Sequence, residues 1–339
     1  MDVWLFTLPL IAGVSLIVTG LLRRYALSHS LIDVPNARSS HTQPTPRGGG
    51  VAIVVSFLLA LPVAMMLGLL GFDAGIALLG SGALVAIIGF MDDHGHIAAR
   101  WRLLGHFIAA LWALYWLNGF PPVSLLGMEL DLGWAGIVFA ALYLVWMLNL
   151  YNFMDGIDGL ASVEACSATL VMCIIYVAAG HVQLVWPALA LGLAVAGFLY
   201  WNFPPARIFM GDAGSGFLGI TLGALSLQAA WVDSRLFWAW LIILGVFIVD
   251  ATLTLIRRLL RGQKVYEAHR THAYQYASRR FGRHLPITLS VLVINAVWLM
   301  PIAWAVACLG LDGLVGVLLA YVPLVLLALR FDAGKPEVR

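Results

Sequence analysis

Charge is what this sequence has least of. Only 11% of its 339 residues are Asp, Glu, Lys or Arg, against about 25% in ordinary soluble domains. With 62% hydrophobic residues, the chain carries more apolar surface than one water-soluble core can bury. That excludes a soluble globular enzyme, and it is the reverse of the composition that keeps a chain disordered. Cysteine is scarce as well. Cys166, Cys173 and Cys308 each fall inside an apolar run, without the spacing of a metal site or the density of a disulfide framework, so they read as packing residues. Nor is there a basic excess: 19 Lys and Arg face 17 Asp and Glu, a net charge of +2, too little to recruit nucleic acid. What the sequence does have is long apolar runs and a mean hydropathy of +0.95. This is the composition of an all-α polytopic membrane protein.

A helix needs about 20 apolar residues to cross the hydrocarbon. On that basis eleven spans are expected, over 3–22, 51–70, 74–90, 103–117, 134–151, 160–179, 184–201, 214–231, 237–256, 286–309 and 311–329. The first has Asp2 in place of a basic leader, is too long for a signal core and is followed by Arg23-Arg24, so it reads as a span rather than a cleaved signal. Eighteen of the nineteen Lys and Arg follow odd-numbered spans; only Arg235 lies on the other side. Basic loops stay in the cytoplasm, which predicts a periplasmic amino terminus and a cytoplasmic carboxyl terminus. Residues 1–339 then form a single integral-membrane domain, and its cytoplasmic loops 23–50, 91–102, 152–159, 202–213 and 257–285 form the expected active site.

The acids repeat that asymmetry. Asp92, Asp93, Asp155, Asp158 and Asp212 all fall in cytoplasmic loops or the helix ends beside them, mostly next to glycine or asparagine. Ionisable groups concentrated at one membrane face mark a site. Asp33, Glu267, Asp332 and Glu337 read instead as ordinary loop residues.

Four loops carry the chemistry. The first is Asp92-Asp93 followed by His94, His96, Arg100 and Arg102; adjacent carboxylates hold a metal, raise one another's pKa or act as a base. In the second, Asn149, Asn152 and Asp155 recur every third residue and so share a helix face, and Gly156, Asp158 and Gly159 follow. The third runs from Asn202 through Pro204-Pro205, Arg207 and Phe209 to Gly211-Asp212-Ala213-Gly214-Ser215-Gly216. Its prolines end one span, Asp212 and Ser215 can cap the next, and that helix start would face a phosphate arriving from the cytoplasm. It lacks the Lys-Ser/Thr of a P-loop. The fourth holds His269-Arg270-Thr271-His272, which we read as anion contacts, beside Arg257, Arg258 and Arg261, which face anionic lipid. In the loop after the first span, Arg38-Ser39-Ser40-His41 and Arg47-Gly48-Gly49-Gly50 either close over a substrate or form a flexible basic linker. Together these loops suit a phosphoanhydride reaction between a cytoplasmic nucleotide and a lipid phosphate, with Mg²⁺ held by one or two carboxylates and the substrate's own phosphates.

At these residues the sequence resembles the polyprenyl-phosphate N-acetylhexosamine-1-phosphate transferases, glycosyltransferase family 4. The resemblance rests on Asp92-Asp93, the Asn-x-x-Asn-x-x-Asp-Gly-x-Asp-Gly-Leu run at 149–160, Phe-Met-Gly-Asp at 209–212 and His-x-x-His at 269–272. It spans the chain, and its last motif looks more like the O-antigen-initiating branch than the peptidoglycan branch. The resemblance implies that a UDP-N-acetylhexosamine and undecaprenyl phosphate give an undecaprenyl-diphospho-sugar and UMP at the bacterial inner membrane, opening O-antigen and lipopolysaccharide assembly. It implies Asp212 and Asn152 as ligands of Mg²⁺ (or Mn²⁺), and Asp92 and Asp93 positioning or deprotonating the lipid phosphate, with Asp155 in the same catalytic group. Asn149, Asn202, Phe209, Gly156 and Asp158 would bind substrate, Phe209 by stacking on uracil, and His269, Arg270 and His272 would contact the diphosphate. Where the peptidoglycan branch has Asp-Asp-x-x-Lys this chain has His96, leaving the cation to His96, Arg100 or Arg102. The partners implied are the UDP-sugar, the polyprenyl phosphate and the bilayer, with a homodimer allowed.

Two alternatives compete. A peptidoglycan phospho-MurNAc-pentapeptide translocase shares the reaction. A secondary transporter would need ionisable groups at the midplane, whereas Glu164, His106 and Asp250 all sit near a cytoplasmic end of their spans.

Overall fold

The computed structural model describes residues 2–35, 40, 43–95, 97–263 and 269–336. His96, Arg38, His41 and Glu267, weighed above, lie outside the described residues, as does Glu337. Helices stand at all eleven expected positions: α1 (Asp2–Ser28), α2 (Val51–Met66), α3 (Phe72–His94), α4 (Ala99–Trp116), α5 (Gly133–Met154), α6 (Leu160–Ala178), α7 (Val185–Asn202), α8 (Asp212–Val232), α9 (Ser234–Ile243) with α10 (Gly245–Leu260), α12 (Leu285–Ile294) with α13 (Met300–Leu309), and α14 (Gly313–Arg330). The added helix α11 (Ala273–Phe281) lies in the basic loop. Among the described residues eight helices are long and apolar enough to cross a membrane, and a ninth crossing follows if α9 and α10, bent by 69° at their junction, form one span. Two expected spans fall short of that test. α2 has 16 residues, about 24 Å of helix, and the first turn of α4 carries Arg100 and Arg102.

The bundle is built around α8, which packs on α3 and α5 and touches α2, α6 and α9. Its sequence explains why. Gly216, Gly219 and Gly223 leave one face without side chains, and a Cβ on Gly219 would lie 2.4 Å from the Met147 carbonyl and 2.6 Å from Leu148 Cα. Small residues at such spacing let two helix backbones touch, which is how helices associate where lipid removes the hydrophobic drive between them. α7 pairs with α1 and α6. The one acid in α6, fully buried Glu164, accepts from Asn295 Nδ2 (2.7 Å), in the π turn that joins α12 to α13.

Two small hairpins complete the chain. β1 (Ile32–Asp33) pairs antiparallel with β2 (Thr45–Pro46), Ile32 opposite Pro46; β3 (Val123–Leu125) pairs with β4 (Met128–Leu130) at the other end of the bundle. β2 continues into a strap. Phe209 N donates to Pro46 O (2.8 Å), Gly49 N to Phe209 O (2.9 Å) and Gly50 N to Met210 O (2.9 Å). The Arg47-Gly-Gly-Gly segment is thereby fixed against the loop leading into α8.

Candidate active site

Five helix ends converge below that strap. α3 delivers Asp92 and Asp93, α4 begins with Arg102, α5 ends with Asn149 and Asn152, α7 ends with Asn202, and α8 begins with Asp212. The residue before α8, Gly211, takes φ +80°, a backbone state that glycine adopts without steric cost. Gly211 therefore occupies the cap position, and no side chain caps the helix. The expected capping by Asp212 and Ser215 does not occur, and Asp212 is left free for other contacts. Ser215 Oγ donates instead to Gly211 O (3.2 Å) and accepts from Asn152 Nδ2 (3.3 Å).

The paired aspartates divide their contacts. Asp92 accepts from Ile97 N (2.9 Å) and forms an ion pair with Arg102, whose Nη1 also lies 3.8 Å from Asp212 Oδ2. Arg102 thus bridges α3 and α8. Asp93 Oδ2 accepts from Ala213 N (3.4 Å) at the start of α8, where the helix dipole favours an anion. Arg47 donates to the Asp93 carbonyl. Arg100 turns away, its guanidinium 5.5 Å from the Trp101 ring.

Two spaces open from this junction. The first is an acidic cavity of about 240 Å³ whose wall includes Arg47, Asp93, Asn152, Asp155, Gly156, Asp158, Asn202, Phe209, Asp212 and Ser215. The second is a groove of about 580 Å³, apolar along most of its length, whose polar end is formed by Asp92, Arg102, Asn149, Asn152 and Asp212. Asn152 and Asp212 belong to both walls. The three-residue spacing accounts for this: along α5, Asn149 faces the groove, Asn152 both spaces, and Asp155, at the helix end, the cavity. Groove residues Leu103 and Leu142 are about half exposed on the outside of the bundle, so the groove opens sideways between α4 and α5. A third space, of about 560 Å³, adjoins the cavity at Ser40, Asp158, Phe209 and His284 and is edged by Arg279 and Arg283.

Burial, and then the charges of Asp212, Asp93 and Asp158, hold the Asp155 carboxyl well above the usual carboxylate range. Such crowding is what a divalent cation relieves. No cluster of three or more His, Cys, Asp or Glu forms a closed metal cage among the described residues. The all-oxygen donors here nonetheless fit Mg²⁺, which takes one or two protein carboxylates and leaves its remaining positions to phosphate and water.

Other expected residues have different surroundings. Asn202 lines the cavity, but its amide is engaged in bracing the loops: Oδ1 accepts from Gly159 N and Ser162 Oγ (both 3.1 Å), and Nδ2 donates to Ile208 O (3.0 Å). His269, Arg270 and His272 are absent from the cavity wall. His272 is buried at the cap of α11, stacked against His269 (4.9 Å) and Phe153 (6.2 Å). Asp250 of α10 accepts from Ala273 N (2.9 Å) and Tyr274 N (3.0 Å) beside it.

The sequence also hid three wall residues. Asp33, read as an ordinary loop acid, lines the cavity, as do Gln275 and His284. His284 Nδ1 lies 3.1 Å from Asp158 Oδ1 and its Nε2 3.0 Å from the Ser40 carbonyl. Burial pulls its pKa down, but the Asp158 hydrogen bond and charge, with the Ser40 carbonyl, outweigh it and hold the pKa above the usual histidine value. The ring thus links Asp158, whose Oδ2 also accepts from Ala206 N (3.0 Å), to the Ser40 segment.

Comparison with known proteins supplies the family. Residues 75–230 match the model of "Glycosyl transferase family 4", a stretch that contains every wall-forming helix end from α3 to α8. A Bacillus subtilis protein named a probable undecaprenyl-phosphate N-acetylglucosaminyl 1-phosphate transferase is 30% identical over 283 residues, 82% of this chain and 77% of its own. The decaprenyl-phosphate N-acetylglucosaminephosphotransferase of Mycobacterium tuberculosis H37Rv is 30% identical over 294 residues, 78% of this chain and 72% of its own. The phospho-N-acetylmuramoyl-pentapeptide-transferase of Streptococcus pneumoniae is 29% identical over 249 residues, 67% and 72% of the two chains. Family match, relatives covering most of the chain and a junction built from the motif residues lead to one assignment: this chain belongs to glycosyl transferase family 4, the polyprenyl-phosphate N-acetylhexosamine-1-phosphate transferases.

Proposed function

We propose that the protein transfers an N-acetylhexosamine 1-phosphate, N-acetylglucosamine being the first candidate, from a UDP-sugar to undecaprenyl phosphate at the cytoplasmic face of a bacterial inner membrane. The carrying observation is that an acidic cavity and an apolar groove share Asn152 and Asp212 as a common wall. A soluble diphosphate and a lipid phosphate need such a meeting point. The cavity alone, at about 240 Å³, lies below the roughly 300–1,000 Å³ usual for small-molecule sites, so the donor extends past Phe209 into the adjoining space. The groove takes the prenyl chain, with its phosphate at Arg102.

In this reading a lipid phosphate oxygen attacks the β-phosphorus of the donor, and the bond between the α-phosphate and the β-phosphate breaks to release UMP. Asp92 and Asp93 keep the attacking phosphate ionised and oriented. Asp212 and Asn152 hold Mg²⁺, which neutralises the charge on the diphosphate. Phe209 stacks on the uracil. The His-x-x-His pattern at 269–272 also favours a surface-glycan role such as O-antigen initiation over the pentapeptide-transferring reaction.

One phosphoanhydride is lost and one is made, so the reaction is expected to run both ways. Labelled UMP should exchange into UDP-N-acetylglucosamine when the lipid product is present, and a panel of UDP-sugars with undecaprenyl phosphate identifies the donor. Fast forward transfer without exchange would count against the single displacement.

We take Arg102, ion-paired with Asp92, rather than Arg100, which lies over the Trp101 ring, as the cation next to the paired aspartates. Arg102→Ala is expected to lower transfer by about a hundredfold, the cost of leaving a paired buried charge without its partner. Arg100→Ala should stay within about twofold, as for other exposed charges. Equal losses in the two variants would refute the assignment.

A further inference from the structure

One polar group in the groove is not used by anything described so far. His106 follows Arg102 by four residues on α4, so the two share a face one helical turn apart, about 5.4 Å along the axis. Both line the groove. The His106 ring is half-buried, and its Nδ1 is closed off from solvent with no hydrogen-bond partner among the described residues. Its charged neighbours are Arg102 and Asp92, which are already paired with each other. Around and beyond it the wall is apolar, formed by residues such as Ile88, Phe107, Val145 and Trp146.

Among the described residues the ring caps no helix and holds no neighbouring element, and with Nδ1 closed off only Nε2 is left to reach a group in the groove. Its position suggests a ligand. Polarity falls along the groove from the Arg102–Asp212 end to the apolar wall, and His106 stands at the crossover. An amphiphile with an anionic head and a single apolar tail has its own crossover at the ester oxygen linking phosphate to chain.

We propose that His106 is a contact for the acceptor lipid, donating Nε2–H to the phosphate at its ester end while Arg102 holds the outer oxygens. This rests on the reading that the polyprenyl phosphate enters by the groove. It makes His106 a depth gauge. The phosphate is gripped by both residues only when the chain is seated: a free phosphate lacks the chain that sets its depth, and an uncharged polyprenol lacks the phosphate.

The test separates acceptor from donor. In detergent-solubilised full-length protein, His106→Leu is expected to raise KM for undecaprenyl phosphate about tenfold, as for loss of one hydrogen bond to a charged group, with KM for the UDP-sugar unchanged. His106→Gln, which keeps an N–H donor, should recover most of that loss and guards against a variant that merely packs badly. A second arm needs no turnover: binding of undecaprenyl phosphate, followed by quenching of tryptophan fluorescence, should weaken by the same factor in His106→Leu, while binding of undecaprenol should not change. Unchanged lipid affinity in His106→Leu, or parallel shifts in both KM values, would overturn the proposal. If the wild type binds undecaprenyl phosphate but transfers no sugar phosphate to it, the functional reading fails while the binding arm still decides the role of His106.

Discussion

Asp212→Asn is expected to abolish transfer, with kcat falling by about a thousandfold, the upper range for removing one electrostatic contact to a reacting centre. The same substitution should leave the fold at least as stable as before. Asp212 caps no helix, its position is one of several acids crowding Asp155, and asparagine has the same shape. Removing one of several mutually repelling carboxylates relieves the cavity when no cation is bound. Measured in excess EDTA, the melting temperature of Asp212→Asn should therefore equal or exceed that of the wild type, while adding Mg²⁺ should stabilise the wild type more than the variant. EDTA should silence the wild type, and Mg²⁺ should restore it. Full turnover in EDTA, or a variant that is inactive because it is unfolded, would remove the basis for placing a metal at Asp212.

Gly89→Ala is expected to cost about a hundredfold in kcat, although residue 89 has no side chain to offer a substrate. A Cβ there would sit 2.6 Å from Asp212 C and O and from Ala213 N. All three are backbone atoms, so α3 and α8 must separate. The separation needed is on the order of 1 Å, a displacement that by itself can cost 10²-fold in an oriented reaction. It would carry Asp92 and Asp93 away from Asp212 together. Gly13→Ala is the control, since a Cβ at Gly13 meets nothing within 4 Å. Wild-type kcat in Gly89→Ala would mean that the α3–α8 contact does not set the site.

The site was largely legible in the sequence because its parts are punctuation in an apolar text. Asp93, Asn152, Asp155, Asp158 and Asp212 stand out where hydrophobic periodicity stops, and all five reach one cavity. What was hidden depends on contacts that spacing cannot reveal. His284 pairs with Asp158 across 126 positions, and neither residue announces the other. Asp212 and Ser215 are both good capping residues by type, yet the glycine before them took the cap, because a positive φ is available to it. The His-x-x-His motif looks like an anion site, but the described structure spends His272 on starting α11, with an acid from α10 beside it. The break between α9 and α10 falls at Leu244-Gly245 inside an apolar run, and an apolar run reads the same whether straight or bent.

The sideways opening of the groove between α4 and α5 changes what concentration means for this protein. One reactant arrives through water and is counted in moles per litre. On the proposed function the other slides in from the surrounding bilayer and is counted as a fraction of the molecules in a two-dimensional sheet. Diluting a suspension of membranes with buffer leaves the second quantity untouched, whereas adding inert phospholipid lowers it at constant bulk amount. Flux through the site therefore responds to the crowding of the leaflet.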